Sequence, residues 1–87
     1  MDPKEQILTE VLTVLNSLKP IAEKNPGKGV MGASQDINAL IARAKQACPN
    51  LPAIQQTTAL TKTDTLATAV TRLSVIYGAI SASRSTF

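Results

Sequence analysis

Two proline-bearing breaks, Asn25-Pro26-Gly27 and Pro49-Asn50-Leu51-Pro52, divide this chain of 87 residues into three stretches. No helical ladder runs through such breaks, because proline lacks the amide donor and its ring crowds the preceding turn. What lies between them reads at a helical period. The chain is therefore expected to be all-α, a small bundle of three helices (about 3–24, 35–47 and 62–83) forming one domain, 1–87.

The first helix is expected to open on Asp2 as N-cap, with Pro3 at the first helical position and Glu5 at the third. Ile7, Leu8, Val11, Leu12, Val14, Leu15, Leu18, Ile21 and Ala22 spread over about half the circumference at ~100° per residue. An arc that broad needs two neighbours, since one packed helix covers a narrower stripe. Pro20 is expected to kink the helix or end it at Lys19. The second helix is expected to start on Ser34 as N-cap and to bury a narrow stripe of Ile37, Leu40, Ile41, Ala44, Ala47 and Cys48. Its small residues favour close approach. Ala53 to Leu60 reads as a turn or a short helical stretch. Thr61-Lys62-Thr63-Asp64 offers a further cap, with Thr61 as N-cap and Asp64 three residues on.

The third helix carries a heptad-like seam, Leu66, Val70, Leu73, Tyr77 and Ile80, widened by Ala69 and Ile76. Its back is unusual. A solvated helix back normally carries Glu and Lys, whereas this one has Val75, Ala79, Ala82, Gly78 and Ala67, with Arg72 beside them. Cysteine chemistry adds little: Cys48 is the one cysteine of the chain, so no intrachain disulfide framework exists. It reads as a small core residue, with an intermolecular disulfide or a redox-sensitive thiol as the alternative.

Chemistry is limited by what is missing. The chain has no histidine, which removes a Ser/His/Asp triad, a histidine general base and ordinary zinc-finger ligation. The six acids do not cluster in sequence, and caps and solvated faces are their expected roles. The reading is no enzyme, no metal and no cofactor.

One loop could hold an anion. In Gly27-Lys28-Gly29-Val30-Met31-Gly32, free amides at a helix start and one lysine could grip a phosphate, with Lys28, Gly29, Gly32 and Arg84 as candidate ligand-binding residues. The loop lacks the Walker A spacing, and a plain interhelical linker is the simpler reading. The net charge of +3 comes from nine Lys+Arg scattered along the chain. Nucleic acid is therefore disfavoured as a partner, because such binders concentrate their bases on one face. The longest uncharged run of the last segment, Leu73 to Ser83, is about half of the ~20 residues a bilayer span requires, so no membrane span is expected. The acidic Met1-Asp2-Pro3-Lys4-Glu5 start is unlike a signal peptide. The expected location is the cytoplasm, or outside the cell by export without a cleavable signal.

The surplus of apolar surface on the first and third helices points to self-association, a homo-oligomer or filament built through Leu8, Leu12, Val75, Ala79, Ala82 and Phe87. The alternative is a small phage or mobile-element protein that sequesters a nucleotide-like anion, or inhibits a partner protein, at pockets between subunits. The Pro49-Asn50-Leu51-Pro52 turn and the Ser83-Arg84-Ser85-Thr86-Phe87 end also resemble the outline of type III secretion needle subunits, which implies a filament subunit. Helix 1, the Gly-rich loop and Cys48 fall outside that outline.

Overall fold

The breaks stand where the sequence places them, and the helices between them pack into an all-α bundle. The computed structural model describes residues 3–30 and 32–84, Arg84 through its backbone only. The expected Asp2 cap and Phe87 lie outside the described residues. The elements run α1 (Pro3–Lys24), α2 (Ala33–Ala47), α3 (Pro52–Gln55) and α4 (Leu66–Arg84). The stretch after the second break is thus a single helical turn, α3, with Pro52 at its start and Ile54 fully buried beneath it. An irregular segment then leads to α4.

α1 finds both of the neighbours its broad arc requires. It packs against α2 on one side and α4 on the other, antiparallel to each. Ile7, Leu8, Val11, Leu15 and Ala22 are buried, with Val14 and Leu18 packed at the margin. Leu8 is therefore core, which corrects its assignment to self-association: the arc is filled within the chain. On the outer side, the hydroxyls of Thr9, Thr13 and Ser17 donate to the carbonyls of Glu5, Thr9 and Thr13 at 2.9–3.1 Å. These bonds satisfy polar side chains that would otherwise compete with the helix. Pro20 does not end α1, which continues to Lys24. Pro20 and Asn16 are both exposed, so the carbonyl that loses its donor lies on the solvent side.

The capping readings need correction. α2 begins at Ala33, not on Ser34 as a cap. The chain enters already turning: Ala33 N–H donates to the Val30 carbonyl at 3.0 Å, Gly32 is itself in helical conformation, and Ser34 is buried in the first turn. At the other end, the Gln55 side-chain amide donates to the carbonyls of Lys45 and Cys48 at 2.9 and 3.1 Å. α3 thereby closes the open end of α2.

The third expected helix starts at Leu66 rather than 62. Thr61 and Asp64 do bond as anticipated, Thr61 N–H to Asp64 Oδ2 at 2.8 Å. But they close a turn, with Asp64 N–H returning to the Thr61 carbonyl at 3.1 Å. Thr65 is the side chain that caps α4, accepting from Thr68 N–H at 3.2 Å. Within α4 the buried line is Leu66, Ala69, Leu73, Ile76 and Ile80, whereas Val70 and Tyr77 sit at its edge.

The length and composition of α4 bear on the membrane expectation. Taken from Leu66 to Ser83 with Arg72 included, the helix is 18 residues at a mean hydropathy of 1.2, long and apolar enough to cross a bilayer by those two measures. Its five buried residues line the bundle core, which accounts for much of that hydropathy.

Candidate functional site

The residues that sequence reasoning assigned to an anion site do not converge. The loop is tied down rather than open. Lys28 N–H donates to the Asn25 carbonyl at 3.0 Å, the Lys28 carbonyl accepts from Leu66 N–H at 2.7 Å, and Val30 N–H donates to the Asp64 carbonyl at 2.9 Å. Gly29 and Thr65 pair as an isolated antiparallel bridge. Lys28 and Gly32 are exposed and Gly29 is half-buried. Arg84 ends the helix that starts beside Lys28, so about 27 Å of helix axis separates their backbones. A single small ligand held by both residues of one chain is excluded by that distance.

A shallow groove of about 320 Å³ runs between α1 and α2, lined by Thr9, Thr13, Val14, Asp36, Ala39 and Leu40. Glu10 and Arg43 close it as a two-pronged pair, Arg43 Nη1 to Glu10 Oε1 at 3.0 Å and Nη2 to Oε2 at 2.6 Å. Both side chains are nearly half exposed, yet Oε2 itself is shielded from solvent and pairs with the guanidinium by charge, the one hydrogen bond of the pair being made at Oε1. The hydrogen bond from Arg43 holds the Glu10 carboxyl below the usual range, outweighing an opposing desolvation effect, with the Arg43 charge adding a smaller push in the same direction. The same hydrogen bond raises Arg43. With donor and acceptor spent on each other, the pair bridges two helices.

Cys48 is buried with 1% exposure at the end of α2. That agrees with the core reading and leaves the thiol out of reach of a second chain in the folded state. Among the described residues, no three of Cys, Asp and Glu come together as a metal site.

The apolar surface is the remaining candidate. Leu12, Ile21 and Val75 are large aliphatic side chains with 41%, 42% and 44% exposure. Val75 belongs to the outer side of α4, where Thr71, Ser74, Gly78 and Ala82 are also exposed. Ala79 is half-buried and packs against the core, so it belongs partly to the bundle. A groove of about 240 Å³ lies between this side of α4 and the α3 region, lined by Ala53, Gln56, Thr57, Thr58, Thr71 and Val75 together with Arg72. Arg72 directs its guanidinium back into the chain, to the carbonyls of Thr58 and Ala59 at 3.3 and 3.1 Å and toward Asp64 at 3.6 Å.

Sequence reasoning missed two polar side chains that shape this region, Asn38 and Gln55. Asn38 flanks the apolar stripe of α2 and was a legible signal, a lone amide beside Ile37 and Ile41. Compared with protein-family models, curated proteins and solved structures, the chain gives no match.

Proposed function

We propose that this protein is a non-enzymatic helical assembly protein that self-associates through apolar helix surface into a homo-oligomer or filament. The observation that carries this reading is the exposure of Leu12, Ile21 and Val75, together with an α4 back that presents no Lys or Glu to water. Burying a half-exposed aliphatic side chain between copies recovers roughly 1 kcal/mol, at ~25 cal/mol per Å² of apolar area. An internal core already fills one face of each helix, so this outer surface is available for a second role.

Light scattering beside electron microscopy of the purified chain tests the reading. Self-association is expected at about 50 µM, well above the ~1 µM dissociation constant that about −8 kcal/mol of binding would give. A clean 9.2 kDa monomer at that concentration would sink it. Filaments, rings and dimers each define a different architecture.

A further inference from the structure

We propose that a second copy of this chain docks on one particular side of the bundle, the charge-poor side formed by α3, residues 56–61 and the outer stripe of α4. The inference rests on the assembly reading and specifies its interface. Its basis is a juxtaposition that only the fold creates. Residues 46–61 and 73–83 contain no Asp, Glu, Lys or Arg. The two runs are far apart in sequence, and the fold lays them side by side, meeting along the groove between Gln56–Thr58 and Val75. Arg72 at its edge is turned inward onto the Thr58 and Ala59 carbonyls.

Most charges lie elsewhere: Lys19, Glu23, Lys24, Lys28 and Asp36 about the α1–α2 loop end, and Glu10 and Arg43 across the α1–α2 groove, while Lys62 and Asp64 stand at the edge of this side in the turn before α4. In a two-fold contact, each residue near the axis meets its own copy. A charged side then sets like charges against each other, whereas a neutral one does not. Loss of charge is also the compositional mark of an interface core. The size suffices. One long side of a 38 × 21 × 20 Å body with 5162 Å² of accessible surface presents about 1,000 Å², against the ~800 Å² each partner gives in a standard interface.

α1 lies away from this side. Among the described residues it packs on α2 and α4 and makes no contact with α3. Ile21, near the C-terminal end of α1, is therefore the control position for Val75, which it matches in exposure.

Sedimentation of the wild type, Val75→Lys and Ile21→Lys tests the proposal, with circular dichroism confirming that each variant is folded. The expected result is an oligomeric wild type, an association constant at least about 30-fold lower in Val75→Lys, the scale of an interface hot spot, and little change in Ile21→Lys. Association should also hold between low and high salt, because no ion pair supports it. An oligomer that survives Val75→Lys, breaks with Ile21→Lys or dissolves in salt overturns this interface and leaves the assembly reading standing. A monomeric wild type overturns both, and one that floats with phosphatidylcholine vesicles gives the face to a lipid surface instead.

Discussion

Asn38 and Leu60 hold each other by two hydrogen bonds, the side-chain amide donating to the Leu60 carbonyl at 2.8 Å while Asn38 Oδ1 accepts the Leu60 N–H at 2.6 Å. A side chain on α2 thus acts as a strand partner for a residue in the irregular segment between α3 and α4. Leu60 is buried, and a buried backbone pair needs partners when no helix or sheet supplies them. The Asn38 amide anchors a non-helical surface segment to α2 at the point where Leu60 dips into the core.

Replacing Asn38 by Ala removes both bonds and leaves the Leu60 backbone groups unpaired. A loss of about 2–3 kcal/mol is expected, which corresponds to a fall in Tm of roughly 10–20 °C for a domain of this size. Asn38→Asp should fall between the two. Its carboxylate still accepts the N–H but sets an oxygen against the Leu60 carbonyl. Thermal unfolding by circular dichroism measures both. A melting temperature within a degree or two of wild type for Asn38→Ala would show that the bonds are not made in solution.

The start of α4 separates two kinds of cap, and stability measurements should tell them apart. Thr65 accepts the Thr68 N–H as a true N-cap, so Thr65→Ala should cost ~1 kcal/mol. Thr61 bonds through its main chain to Asp64, while its hydroxyl contacts Thr63 Oγ1. Thr61→Ala should therefore cost only a few tenths of a kcal/mol. Urea unfolding of the two variants checks the order. A larger loss at Thr61 would move the helix start back to the position that the sequence pattern suggested.

That reversal shows where sequence is legible here and where it is not. Breaks are local chemistry, so Pro26 and Pro52 set the helix limits near them. The Thr61 and Thr65 caps look alike in sequence, and tertiary bonds choose between them: Leu66 N–H goes to Lys28 and Val30 N–H to Asp64. The α4 seam is a similar case. A helix that is apolar nearly all round has no period strong enough to name its inner face. Packing in the bundle buries Ala69 and Ile76 and leaves Val70 and Tyr77 at the margin. Leu8 was read as surface only because the arc it shares with Leu12 is too broad for one neighbour, and the fold supplies a second. The spread of the anion candidates is a different matter: sequence cannot say that Lys28 and Arg84 mark the two ends of one helix's length.

The Glu10–Arg43 pair should leave a pH signature. Its bonds to Arg43 lower the Glu10 carboxyl in the folded state relative to the unfolded chain. A depressed acid contributes stability above its unfolded value and loses it as pH falls through the folded one. The contribution is therefore present at neutral pH and vanishes on acidification below the ordinary glutamate range. It should be small, since both groups face water and salt screens them. NMR titration of the Glu10 side chain is expected to give a value that moves up in Arg43→Gln. An unchanged titration would mean that the pair is open in solution.

Pro20 is the position where substitution should stabilise. It sits inside α1, four residues before the helix ends at Lys24, and its missing N–H leaves the Asn16 carbonyl without the helical partner. An interior proline costs up to ~3 kcal/mol, and alanine is the best helix former. Near a helix end, with both residues exposed, part of that cost is already met by water, so Pro20→Ala should gain about 1–2 kcal/mol. This change would raise Tm by roughly 5–15 °C without altering the oligomeric state, because Pro20 lies on α1, away from the α3–α4 side. A Pro20→Ala variant less stable than wild type would mean that the helix is bent at this point and that its last turn depends on the bend to reach the loop at Asn25.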